Sequence, residues 1–146
     1  MSSTILIKGG RLPDGKKSDL LIKDGKIAEL APTIDSPDAH VIDAKNSIVL
    51  PGLVDLHTHL REPGKEDAET VESGSRAGVK GGFTALSAMA NTSPVADTAG
   101  VVEQVYRLGQ ATGLLEVFPI GAVTRGLEGE HLAEIGAMAD SVARVR

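Results

Sequence analysis

From residue 53 onward, strand-like apolar runs alternate three times with segments of helical period, and this alternation constrains the fold more than any other feature. Residues 53–58 are strand-like, and residues from about 67 to 80 suit a helix that Gly81-Gly82 would end, as glycine past a C-terminus commonly does. Residues 83–89 read as a buried strand. Asp97 can cap a second helix, in which Val101, Val102, Val105 and Leu108 recur at helical spacing. Residues 114–123 form a third strand run, and residues 130–145 a third helix with Leu132, Ile135, Met138, Ala139 and Val142 on one stripe. Such alternation predicts βαβ units around a parallel sheet, an α/β fold. A closed βα barrel needs eight units and ~250 residues, so three units in 146 residues leave an open sheet edge. The Gly-rich phosphate fingerprint that would favour a doubly wound sheet is missing.

The first fifty residues have another texture. Residues 4–8 are a β-branched run ended by Gly9-Gly10. Residues 20–23 and 26–30 flank Asp24-Gly25, a strong hairpin signal. Residues 41–43 and 48–50 suggest a second pair across Ala44-Lys45-Asn46. A small antiparallel β unit is therefore expected over residues 1–50, followed by the α/β portion over 51–146.

Composition closes several functional classes. The chain has no cysteine, which removes a disulfide scaffold, a thiol nucleophile and a cysteine zinc cluster. Its net charge of -5 gives no electrostatic footprint for nucleic acid or an anionic membrane surface. No apolar run approaches the ~20 residues of a membrane helix, and no signal-peptide pattern opens the chain. A soluble, cytoplasmic protein is the expectation.

The chemistry lies in Asp55-Leu56-His57-Thr58-His59-Leu60-Arg61. Side chains on a strand alternate faces, so Asp55, His57, His59 and, if the extended run continues, Arg61 point one way. Leu56, Thr58 and Leu60 then point toward covering helices. Two imidazoles at i and i+2 can reach one metal ion, and Asp55 can orient an imidazole from behind. Alone, a His-x-His is more often incidental. Four polar side chains on the inward face of an apolar strand, however, are costly without partners. They also lie at the strand's C-terminal end, where parallel α/β folds build their sites.

Residues 51–64, Pro-Gly-Leu-Val-Asp-Leu-His-Thr-His-Leu-Arg-Glu-Pro-Gly, resemble the first-strand signature of the dihydroorotases among the cyclic amidohydrolases. Gly81-Gly-Phe-Thr-Ala-Leu and Met89-Ala-Asn91-Thr-Ser-Pro94 resemble that family's second strand and substrate loop, and Gly121-Ala-Val-Thr124 a further strand end. Ala90 departs from the pattern, since many relatives have proline there, a change in loop stiffness rather than chemistry. The resemblance implies the first three βα units of a metal-dependent (β/α)8 TIM barrel, preceded by part of a small β-sandwich. It implies interconversion of L-dihydroorotate and N-carbamoyl-L-aspartate in pyrimidine synthesis, with two zinc ions in the complete site. His57 and His59 would ligate zinc, Asp55 would stand behind them, and Arg61 and Asn91 would hold the substrate carboxylate. A guanidinium pairs bidentately with a carboxylate, and an amide adds a neutral donor. A small-molecule substrate and the remainder of the barrel are the implied partners; the family also admits a homodimer and association with an aspartate transcarbamoylase.

The same resemblance puts the other metal ligands, a bridging acid or carboxylated lysine, two histidines and a proton-moving aspartate, on later strands. The family's general base would then lie beyond Arg146, and no catalytic base is expected among these 146 residues. The chain alone should neither turn over substrate nor stay ordered without the rest of the barrel. His40, His131 and Asp140 read as surface or structural residues, and Lys16-Lys17 as a solvated loop. Ser73, Ser75 and Ser87 lack an evident histidine partner. Glu66, Asp67, Glu69 and Glu72 suit a helix start, and Tyr106 reads as packing. Two alternatives stay open: a hydantoinase or allantoinase, and a non-catalytic chain whose open edge pairs with another polypeptide.

Overall fold

In the computed structural model, which describes residues 4–141, the chain divides between Pro51 and Gly52 into two units. The first is a mixed four-stranded sheet in the order β3-β2-β1-β4, from β1 (Thr4–Arg11), β2 (Lys17–Lys23), β3 (Lys26–Ala31) and β4 (His40–Asp43). Asp24 and Gly25, both at positive φ, form the tight turn between β2 and β3. The segment 48–50 does not fold back on 41–43 as expected. Instead β4 runs parallel to β1, and after a turn in which Ser47 N–H donates to the Ala44 carbonyl the chain continues beside β1, with Ile48 bridging Arg11. The bare backbone of Gly10 permits this, because a Cβ there would lie 2.4 Å from Val49 Cγ2. The described residues of this unit make one sheet, with Leu6, Leu21 and Ile34 as its buried cluster. Asp19 is buried beside that cluster, where its carboxylate accepts the Gly9 N–H at 2.8 Å and the Ile34 N–H at 3.0 Å.

The second unit is α/β: β5 (Leu53–Thr58), α1 (Val71–Lys80), β6 (Phe83–Ala88), α2 (Ala99–Thr112), β7 (Glu116–Pro119), a 3₁₀ turn (Arg125–Leu127) and α3 (Ile135–Ala139). The strands pair in parallel in the order β5-β6-β7. Leu60, Val71, Leu86, Ala88, Val105, Leu115 and Val117 form the core between sheet and helices. A second cluster around Val102, Ala122 and Met138 includes the packed ring of Tyr106. No helix of the described residues is long and apolar enough to cross a membrane.

Local chemistry moves four expected boundaries. Helix α1 starts at Val71 rather than near 67, because Thr70 and Ser73 form a reciprocal capping box. Helix α2 is preceded by Thr98 without a side-chain cap, since the Asp97 carboxylate instead accepts the Gly126 N–H at 2.8 Å. The third strand shortens to Glu116–Pro119, which pairs with residues 85–88 of β6, and Ile120 N–H adds one bond beyond it to the Ala88 carbonyl. The third helix keeps only residues 135–139, because Leu132 bridges Thr124 and Ala133 N–H donates to the Val123 carbonyl. Leu132 is thereby exposed. Val142, expected on the same stripe, and Arg146, beyond which the general base was expected, lie outside the described residues.

Candidate functional site

The parallel sheet brings three strand ends to one edge. Met89 N–H donates to the Thr58 carbonyl and Ile120 N–H to the Ala88 carbonyl, so the loops after β5, β6 and β7 emerge side by side. Strand β5 ends at Thr58, after a register shift against β6 between Asp55 and Thr58; past that end Leu60 is buried, and a Cβ on Gly74 of α1 would lie 2.5 Å from its Cδ2. Leu60 thus seats the chain on the helix side while His59 is turned out. Leu56, expected beneath a covering helix, is 72% exposed. Asp55 Oδ1 accepts the backbone N–H of His57 at 3.0 Å, so Asp55 braces the strand at His57 rather than its ring.

The His57 and His59 ring centres are 5.3 Å apart with planes tilted by 56°. Two imidazoles sharing a tetrahedral ion through bonds of ~2.0–2.1 Å have ring centres about 5 Å apart, a separation that this ring pair matches. His59 Nδ1 is 2.8 Å from Asn91 Oδ1. Asn91 follows β6 and sits between buried Ala90 and buried Thr92. Among the described residues no three histidine, aspartate or glutamate side chains gather as a fuller metal cluster.

Arg61 departs from the extended run: its φ of 62 is left-handed, so strand alternation no longer sets its direction. Its guanidinium has no hydrogen-bond or ion-pair partner among the described residues. The loop it opens is pinned three ways. Glu62 Oε2 accepts the Val71 N–H at 2.7 Å, tying the loop to α1. Glu66 Oε1 accepts the Gly64 N–H at 2.7 Å; that bond, with a lesser one from its own N–H, holds the Glu66 carboxyl below its ordinary range. Ser93 N–H donates to the Pro63 carbonyl at 2.9 Å, joining the loops that carry Arg61 and Asn91. At this junction Gly64 has a φ of 100, and a Cβ there would lie 2.0 Å from the Ser93 carbonyl oxygen.

The remaining candidates stay apart from this cluster. His40 opens β4 and is exposed, and His131 is exposed in the loop before α3 rather than at a helix start. Asp140 is the exposed C-cap of α3. Ser73 Oγ donates to Glu69 Oε1 at 2.6 Å, and Ser75 Oγ is buried without a partner among the described residues. Sequence reasoning did not find the His59–Asn91 bond, the Gly64–Ser93 contact or the Asp19 hub. Only the left-handed preference of the Pro63-Gly64 turn hinted at the second.

The chain has clear relatives among known proteins. A family model described as Dihydro-orotase-like matches residues 46–145. The chain is 62% identical over 143 residues to a dihydroorotase of Leifsonia xyli, covering 98% of this chain and 33% of that protein. It is 52% identical over 145 residues to a dihydroorotase of Mycobacterium tuberculosis, covering 98% of this chain and 34% of that one. The chain thus spans about a third of the length of the curated relatives it matches. Among solved structures, an L-hydantoinase (dihydropyrimidinase) from Arthrobacter aurescens superposes with a TM-score of 0.72 at 26% identity, over 85% of this chain and 28% of that one.

Proposed function

The chain belongs to the dihydroorotase-like family, and from that premise we propose that a polypeptide of its relatives' length interconverts L-dihydroorotate and N-carbamoyl-L-aspartate, with these residues forming one side of the site. The observation that carries the proposal is the His57–His59 ring pair at the C-terminal end of β5, linked to Asn91 from the neighbouring strand end. On this reading the parallel sheet opens a (β/α)8 barrel, and the four-stranded sheet is half of a β-sandwich. The parallel order and the likeness to a solved hydantoinase support it.

His57 and His59 would hold one zinc ion of a two-zinc site; when bound, the metal polarises the amide carbonyl under attack and lowers the pKa of the attacking water. This chain's own residues bind and orient. Asp55 fixes the backbone of His57 through its N–H. The uncommitted guanidinium of Arg61 and the amide of Asn91 take the substrate carboxylate, which orients the ring amide toward the metal side. Proton transfer is assigned to no residue here, since no further carboxylate or imidazole among the described residues joins the pair.

Hydantoinase chemistry is the competing reading, because solved hydantoinases share the fold at 26% and 28% identity. The 62% identity to a dihydroorotase and the unpaired Arg61 favour a carboxylate-bearing ring. The test is steady-state kinetics of the zinc-loaded protein, at its relatives' length, on dihydroorotate and on unsubstituted hydantoin. A kcat/KM at least about a hundredfold higher for dihydroorotate is expected, because a site built to pair a charged group rejects substrates lacking it. Preference for hydantoin would overturn the proposal.

A further inference from the structure

We infer that Asn91 is a positioning residue for His59, fixing the tautomer and rotation of that ring while presenting its own amide nitrogen to the substrate. The inference rests on the dihydroorotase reading for the second of these roles and on geometry alone for the first. His59 Nδ1 and Asn91 Oδ1 are 2.8 Å apart. An amide oxygen only accepts, so Nδ1 carries the ring proton and donates it, and the lone pair is left on Nε2. Nε2 is then the nitrogen free to ligate. Were the amide turned about, its NH2 would donate to Nδ1, the ring proton would sit on Nε2, and that nitrogen would be blocked.

The backbone on both sides of Asn91 is held in place. Ala90 and Thr92 on either side are buried, Ala96 N–H donates to the Ala90 carbonyl at 3.0 Å, and Ser93 N–H donates to the Pro63 carbonyl at 2.9 Å. With its oxygen committed to His59, the planar amide must turn its two N–H donors the other way. One side chain thus connects the metal ligand to the carboxylate subsite, and each end of the amide has a single task. This explains a residue choice: aspartate would serve His59 as well but would face the substrate with a like charge, and an apolar side chain would serve neither.

Two variants separate the tasks. Asn91→Leu removes the acceptor and the donor; Asn91→Asp keeps the acceptor and removes the donor. In the protein at its relatives' length, zinc affinity is read by competition with a chromophoric chelator, and the His59 tautomer by ¹⁵N NMR of the zinc-free wild type. The wild-type ring should carry its proton on Nδ1. Asn91→Leu should lose about 10–100-fold in zinc affinity, the usual effect of removing a partner behind a metal-bound histidine. Asn91→Asp should restore that affinity to within about threefold while raising KM for dihydroorotate by about tenfold or more through like-charge repulsion. A proton on Nε2, or wild-type zinc affinity in Asn91→Leu, would overturn the inference. Failure of the wild type to act on dihydroorotate would overturn the functional reading instead and leave the tautomer and affinity results standing.

Discussion

Gly64→Ala should damage the site more than it damages the fold. The new Cβ would sit 2.0 Å from the Ser93 carbonyl oxygen, 2.6 Å from its Cβ and 2.8 Å from its carbonyl carbon. A carbon rests against a carbonyl oxygen at about 3.3 Å, so the two loops must separate by more than about 1 Å. Ser93 lies two residues after Asn91, and Gly64 three residues after Arg61, so the displacement falls between the two groups assigned to the substrate carboxylate. A misplacement of ~1 Å commonly lowers turnover by ~10²-fold. The φ of 100 adds backbone strain of about 1–3 kcal/mol. Because Gly64 is exposed, part of the clash relaxes outward, and a fall of a few degrees in Tm is expected beside that kinetic loss. In the protein at its relatives' length, the assay is kcat/KM on dihydroorotate with the melting temperature of the same preparation. Since the closest atom is backbone, adding Ser93→Gly should not rescue the variant. A Gly64→Ala protein with kcat/KM within about threefold of wild type, or one rescued by Ser93→Gly, would refute the idea that this junction sets the spacing.

Other perturbations test the fold and its loops. Asp19→Ala strands the buried N–H of Ile34 and the half-buried N–H of Gly9 and should cost about 1–3 kcal/mol for the buried orphan, with a smaller addition from the other; a loss below about 1 kcal/mol in denaturant unfolding would contradict this. Gly109→Ala gains about 1 kcal/mol of helix propensity, but its Cβ would lie 2.5 Å from the Cβ of fully buried Val117, and overpacking of about 1–3 kcal/mol should win; an unchanged or higher Tm would reverse that ranking. Glu66 should titrate below its ordinary value of 4.5, because the Gly64 N–H bonds its charged form. Its contribution to loop order is then complete above 4.5 and fades as pH falls through the lower folded value; a ¹³C titration midpoint at or above 4.5 would oppose this.

What could be read in the sequence was whatever depends on a local period. The helical stripe of α2 identified Val102 and Val105, which are 0% and 1% exposed, and the Asp24-Gly25 signal marked a real hairpin. The two-residue period put His57 and His59 on one side, where their rings stand 5.3 Å apart, because that geometry needs only an extended backbone over three residues. The extrapolation to Arg61 failed where the backbone turned left-handed, which no period reports. Glu66 and Glu69 looked like helix-dipole partners yet bond the Gly64 N–H and the Ser73 hydroxyl, since a loop and a first helical turn both reward a carboxylate. The direction of residues 48–50 depended on which strand lay alongside, and nothing within the segment itself specifies that. The His59–Asn91 bond was hidden for the same reason. A hydrophobic pattern tells which face a strand presents, but the offset between two parallel strands is set by the crossover helix and its packing. Here the offset shifts twice along the pair, between Leu53 and Val54 and between Asp55 and Thr58, and only after the second shift does Thr58 pair with Ala88. Given that single pairing, His59 lies one residue past β5 and Asn91 three past β6, and a side-chain amide spans the difference. One cross-strand pairing, reached after two register shifts that no period in either segment reports, thus brings two separate motifs together.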